Sequence, residues 1–106
     1  MSNFETVCSV DDLVKNSGVN ALVNGQQVAI YYIDDQVFAI GNYDPVGKAN
    51  VMSRGMTGSI GDTLVVAAPL YKENYNLATG VCIEDETLSI PSYEAKIENG
   101  SVLVKV

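Results

Sequence analysis

An all-β fold is predicted by three observations: short apolar runs of strand length, Asn-Gly pairs set between such runs, and a C-terminal stretch whose side chains alternate in polarity. The segment NALVNGQQVAIYYIDDQVFAIGN holds apolar runs at residues 21–23, 28–33 and 37–40, interrupted at Asn24-Gly25 and Asp34-Asp35. Asn-Gly suits a two-residue hairpin because both central positions of a type I′ turn need positive φ, and the Asp pair can turn a second hairpin. Three consecutive antiparallel strands follow. Near the C-terminus, Tyr93, Ala95 and Ile97 alternate with Glu94, Lys96 and Glu98 before Asn99-Gly100, after which Val102, Val104 and Val106 resume the pattern. This is a further hairpin.

Helix has little support. The stretch DDLVKNSG, residues 11–18, offers an Asp cap, one Leu-Val pair and a Gly stop, which is enough for a short helical turn near the N-terminus and no more. From Asn42 to Ser59 the strand rhythm stops in NYDPVGKANVMSRGMTGS, a long loop rich in Gly and Pro. A second loop, AAPLYKENYNLATG, follows the strand TLVVAA. Long loops in a small domain carry function or subunit contacts more often than not, since they are otherwise an entropic liability.

Composition bounds the function. The 106 residues suit one domain, 1–106, able to remove roughly two-thirds of its unfolded surface from water. Thirteen Asp and Glu against six Lys and Arg give a net charge of −7, with no basic stripe for nucleic acid or anionic membrane. No apolar run approaches the roughly 20 residues of a membrane span, and the opening MSNFETVC lacks the pattern of a secretion signal, so a cytoplasmic protein is expected. Cys8 and Cys82 form no C-x-x-C pair and are expected to be reduced, partly buried thiols; a disulfide is the alternative. The sequence holds no histidine, the usual general base near neutral pH and the commonest metal ligand. Its hydroxyls have no imidazole partner, and Asp44, Asp62 and Glu73 show no paired spacing, so independent catalysis is not expected. GMTGSIG has the wrong spacing for a dinucleotide loop, and the acidic run Glu84 to Glu86 reads as a solvated turn.

The order of strands, loop, strands, second loop of the form x-P-x-x-x-x-x-Y-x-x-x-T-G, and closing hairpin resembles the Rieske-type ferredoxin domain. The resemblance implies a Rieske-like antiparallel β-sandwich with two loops at the cluster site. In that family C-x-H and C-P-x-H-G boxes hold a [2Fe-2S] cluster with two Cys and two His. Laid on this sequence, Pro69, Tyr75 and Thr79-Gly80 match the frame of the second box, and Ala68 and Tyr71 fall at the Cys and His positions. In the first loop the register places Asn42 and Asp44 at the ligand positions. Alanine has no donor atom, and an amide and a phenol are poor substitutes for thiolate and imidazole, so no cluster or other metal is expected on this chain.

One branch is more similar. The motifs D-P, N-V-x-S-R-G, P-L-Y-K, L-x-T-G-x-C and Y-x-A-K resemble the small subunit of the assimilatory NAD(P)H-dependent nitrite reductase, with Phe4 and Val46 standing where that family often has Trp and Phe. The resemblance implies a non-catalytic accessory subunit partnered by a large subunit that carries FAD, an iron–sulfur cluster and siroheme and reduces nitrite to ammonium in nitrate assimilation. It leaves NADH or NADPH open. Asp44, Arg54, Tyr71, Lys72 and Tyr75 are the candidate partner contacts; for Tyr71 and Tyr75 the alternative is core filling, for Lys72 solvation, and for Arg54 a bond that staples its own loop. A cluster-free binding module or accessory subunit of another oxidoreductase, and a ferredoxin-type electron carrier, are the alternative functions.

Overall fold

The computed structural model describes residues 4–70 and 72–105, and over these the fold is an antiparallel β-sandwich. Its larger sheet is built from β1 (Phe4–Ser9), β2 (Gly18–Val23), β3 (Gln26–Ile33), β4 (Gln36–Gly41), and the late pair that follows the loops. Between β4 and that pair lie β5 (Tyr43–Asp44), β6 (Ala49–Asn50), β7 (Met56–Ile60), β8 (Thr63–Ala67) and β9 (Asn74–Asn76). The late pair is β10 (Ser92–Glu98) and β11 (Ser101–Lys105). The six-stranded sheet runs β1-β11-β10-β4-β3-β2, the three-stranded sheet β7-β8-β9, and β5-β6 form a small ribbon.

Turn chemistry sets the registers. Val23 pairs with Gln26, Ile33 with Gln36, and Glu98 with Ser101, each across a two-residue turn. The central residues of all three turns have positive φ: Asn24 and Gly25, Asp34 and Asp35, Asn99 and Gly100. Both Asn-Gly pairs and the Asp pair therefore close hairpins as the sequence predicts. The strands run past the apolar cores because ladder bonds do not require apolar side chains; Gln26 and Gln36 begin strands while exposed.

Strand β3 explains the layering. Val28 and Ile30 face one core with Val23, Val37, Ala39, Val102 and Val104, whereas Ala29, Tyr31 and Ile33 face a second core with Ile40, Met52, Val66, Tyr75 and Leu77. A strand buried on both faces reads as a continuous apolar run rather than an alternating one, which is how residues 28–33 appear. The second core lies beneath the two long loops and is the floor of the candidate site.

Two local expectations are corrected. The expected short helical turn near the N-terminus is present as a 3-10 turn at Val10–Asp12, but its cap is Ser9 rather than an Asp: the Ser9 Oγ accepts from the Asp11 N–H, and Asp12 Oδ2 accepts from the Ser9 N–H at 3.1 Å. The stretch from Asn42 to Ser59 is not strandless. It contains β5, β6, a 3-10 turn at Met52–Arg54 and most of β7, which pairs with β8 from Met56↔Ala67 to Ile60↔Thr63. Only alternate residues of MTGSI are apolar, and Gly58 interrupts them, so its strand character comes from its partner.

Candidate functional site

Asn42 is almost fully enclosed, and its side chain organises the first loop. Its Nδ2 donates to Gln27 Oε1 and to the Asn50 carbonyl, each at 3.2 Å, while Oδ1 accepts from the Ser53 N–H at 2.7 Å. Its main-chain N–H bonds the Gln27 carbonyl and its carbonyl takes the Met52 N–H. A buried amide with every group occupied is a structural brace. The sequence singled out Asn42 only as a ligand position of the resemblance; its partner Gln27, exposed near the start of β3, carried no signal there.

Tyr31 clamps the same loop from below. It is fully buried on β3, its hydroxyl donates to the Met52 carbonyl, and the Gly55 carbonyl stands 3.5 Å away. Burial pushes its pKa up to about 12, against the smaller opposing effect of the Gly55 carbonyl. Sequence reading passed over Tyr31, although its place between Ala29 and Ile33 on a buried face would oblige its hydroxyl to find a partner. The S-R-G motif has a related cause: a Cβ on Gly55 would lie 2.6 Å from Val66 Cγ2 and 3.2 Å from the Tyr31 hydroxyl.

The two loops begin with the same turn. In the first, the Lys48 N–H bonds the Asp44 carbonyl at 2.7 Å across Asp-Pro-Val-Gly-Lys; in the second, the Lys72 N–H bonds the Ala68 carbonyl at 2.9 Å across a segment that opens Ala-Pro-Leu. Both lysines have left-handed φ, 56° and 63°. The tips meet where Leu70 lies over Gly47, whose Cα could not carry a Cβ without meeting Leu70 Cδ1 at 2.6 Å and Asp44 Oδ2 at 2.8 Å.

Beneath this contact Asp44 is fully buried, with Oδ1 accepting from the Val46 N–H at 3.0 Å. Its Oδ2, Glu73 Oε1 and the Tyr75 hydroxyl are buried without a hydrogen-bond partner among the described residues. Burial raises the Tyr75 pKa to about 12, and the charges of Asp44, Cys82, Glu73 and Glu84 add to the effect. Asp44 was expected at a partner contact, and Tyr75 either there or filling the core. Their side chains are enclosed by the fold, so neither can meet a partner without opening it, and Tyr75 fills the core beside Ala68 and Val66. Arg54 and Lys72 are exposed, and the expected staple from Arg54 to its own loop is not made among the described residues. Tyr71 lies outside the described residues.

The second loop is closed by Thr79-Gly80 and by the acidic run. The Thr79 Oγ1 accepts from the Val81 N–H at 3.3 Å, and Gly80, at φ 80°, lies against the Ile90 carbonyl so closely that no Cβ fits. Glu84 does more than face solvent: its Oε1 and Oε2 take the Asn74 N–H and Nδ2, both at 2.8 Å. Those two bonds hold its carboxyl below the usual range. The Cys82 thiol, buried behind Glu84, is pushed up mainly by desolvation. Cys8 and Cys82 are both free thiols packed against different cores.

The donor set does not fit a [2Fe-2S] cluster. Ala68 presents a methyl group to the core, the Asn42 amide is wholly engaged within its loop, and Asp44 offers one hard carboxylate oxygen where soft thiolates or imidazoles are needed. Among the described residues no helix is long and apolar enough to cross a membrane.

Comparison with known proteins places these features. The family described as a Rieske-like [2Fe-2S] domain matches residues 3–105. The nitrite reductase (NADH) small subunit of Salmonella typhimurium is 43% identical over 107 residues, covering 99% of each chain. The solution structure of the Escherichia coli protein NirD superposes with a TM-score of 0.91 at 41% identity, covering 100% of this chain and 98% of that one. A segment of the nitrite reductase [NAD(P)H] large subunit of Klebsiella oxytoca is 33% identical over 101 residues, 95% of this chain and 11% of that protein.

Proposed function

Because the chain belongs to the Rieske-like [2Fe-2S] domain family, among the small subunits of NADH nitrite reductase, we propose that it is a non-catalytic subunit that completes a siroheme-bearing large subunit in reducing nitrite to ammonium. The observation that carries this reading is the end-to-end similarity to a small subunit, supported by the enclosure of Asp44 and Ala68 within the chain's own packing. Occurrence of the same domain inside a K. oxytoca large subunit supports stable attachment rather than shuttling, since a domain fused to its partner has no need to dissociate.

The identical opening turns of the two loops favour one register for the lost ligands. They support setting Asp44-Pro45 against Ala68-Pro69, which would put Asp44 at the Cys position of the first loop and Val46 at the His position, two residues along from Asn42 and Asp44. In that register Val46 and Ala68 have no donor atom, which supports a chain that binds no cofactor; flavin, iron–sulfur cluster and siroheme then belong to the large subunit. The reading places the complex in the cytoplasm.

The test is reconstitution. The large subunit is purified alone and with this chain, and NAD(P)H-dependent nitrite reduction and its half-life are measured in both. Higher activity or longer life of the pair, with no iron bound by the small chain alone, is expected. Stoichiometric iron and cluster absorption in the small chain after anaerobic treatment with iron and sulfide would instead favour the ferredoxin reading.

A further inference from the structure

Strand β7 ends its sheet, and one row of its backbone groups has no partner. The sheet runs β7-β8-β9, so β7 is paired on one side only, from Met56↔Ala67 to Ile60↔Thr63 without a bulge. Ile60 and Thr63 flank a two-residue turn whose first central residue, Gly61, has φ 61°, so they form the hydrogen-bonded pair that closes the hairpin. The alternation of an antiparallel ladder then turns the N–H and C=O of Thr57 and Ser59 away from β8. Leu64, opposite Ser59, fixes the same alternation from the other side: its carbonyl accepts from the N–H of Leu77, just past β9, at 3.0 Å. Among the described residues no other main-chain group meets those of Thr57 and Ser59.

The edge carries none of the devices that discourage strand pairing. MTGSI holds no charge and no proline in a chain of net charge −7, whereas the edge strand β1 has Glu5 and a break in register between Thr6 and Cys8. Thr57 and Ser59 turn their side chains toward the body of the domain: Thr57 Oγ1 donates to the Asn16 carbonyl at 3.1 Å, and Leu64, opposite Ser59, packs on the second core. Met56, Gly58 and Ile60 turn outward, with Met56 73% and Ile60 45% exposed, and a Cβ at Gly58 would meet nothing within 4 Å. The order reads alike from either end, an apolar residue and then a hydroxyl residue on each side of Gly58. Antiparallel pairing of two copies about Gly58 sets Thr57 opposite Ser59 twice, as hydrogen-bonded pairs, and Met56 opposite Ile60 twice on the outer face. Arg54 and Asp62, both exposed, stand two residues before and two after the strand, so the same pairing brings opposite charges to each end of the ribbon. Such an isologous contact closes after two copies.

We propose that β7 is a self-association edge, through which two copies of this chain pair along Met56–Ile60 and join their three-stranded sheets into one. The free groups of Thr57 and Ser59 call for an extended strand as occupant, and the strand's own sequence supplies the matching one. The contact is short, so it forms at high concentration rather than permanently. Sedimentation equilibrium of the full chain from about 10 μM to about 1 mM, in enough salt to screen the like net charges, should show monomers passing to dimers. Met56→Lys/Ile60→Lys and Met56→Glu/Ile60→Glu each set like charges opposite one another and should weaken the dimer about tenfold or more. Mixing these two variants should restore it, because the introduced ammonium groups then face carboxylates, a rescue that a misfolded variant would not give. Leu22→Lys, at a 73% exposed position on the edge strand β2, should leave the dimer unchanged. A wild-type chain that stays monomeric at the highest concentration overturns the proposal and leaves the edge to a strand of another protein. A dimer that survives both double variants, one lost only in Leu22→Lys, or a mixture that fails to associate overturns it equally. None of these outcomes touches the small-subunit reading, which rests on similarity along the whole chain.

Discussion

The hydroxyl of Tyr31, on the doubly buried strand β3, donates to the main-chain carbonyl of Met52 and so fastens the first loop to the large sheet. Replacing it with Phe keeps the ring's packing and leaves a buried carbonyl without that donor. Tyr31→Phe should cost about 1–3 kcal/mol in urea unfolding, with no change in slope. An unchanged midpoint would show that the clamp contributes nothing.

Alkaline titration should find the two buried phenols. Tyr31 and Tyr75 are both raised to about 12, above the ordinary value of 10. Below pH 10 both folded and unfolded chains keep these protons, and between 10 and 12 only the unfolded chain releases them. Stability is therefore present below pH 10 and is lost as the pH rises toward 12, by at most about 2–3 kcal/mol for each phenol. Unfolding followed from pH 8 to 12 should show this decline, and it should be shallower in Tyr31→Phe.

Gly80 and Gly25 have nearly the same φ, 80° and 79°, but different surroundings. A Cβ at Gly80 would collide with the Ile90 carbonyl, while one at Gly25 has nothing within 4 Å. Gly25→Ala should cost about 1–2 kcal/mol of left-handed strain. Gly80→Ala should cost clearly more, because main chain must move. Equal losses in denaturant midpoint would mean that the second loop yields easily.

The register of the lost ligands can be tested by restoring them. Asp44→Cys with Val46→His, together with Ala68→Cys and Tyr71→His, should take up a [2Fe-2S] cluster on anaerobic reconstitution and show its visible absorption. The alternative set, with Asn42→Cys and Asp44→His in the first loop, should not, because it removes the brace to Ser53 and Gln27. Cluster formation only in the second set would restore the register read from the sequence.

The hairpins were legible because their instructions are local: Asn-Gly, Asp-Asp and alternating polarity act within a few residues. The candidate site was legible only as a frame. Pro69 and Thr79-Gly80 announced the second loop, and Asn42 announced a special position, but whether a side chain braces, fills or reaches outward depends on partners far along the chain. Asn42 meets Gln27 across 15 residues and Tyr31 meets Met52 across 21. Asp44 looked like a surface contact because carboxylates usually face water, whereas core filling was already open for Tyr75; the burial of both follows from the closing of the two loops over the second core. Strand β7 escaped notice for a similar reason, since its regularity is borrowed from β8.

The sharing of β3 between two cores bears on how the molecule breathes. Packing above and below one ribbon of main chain couples the loop end to the hairpin end, so a fluctuation deep enough to free Ala29 and Tyr31 also strips support from Val28 and Ile30. Partial melting confined to the loop side is thereby penalised, and opening of the loop end is drawn toward the all-or-none cost of global unfolding. The arrangement favours loops that keep one shape for as long as the domain stays folded.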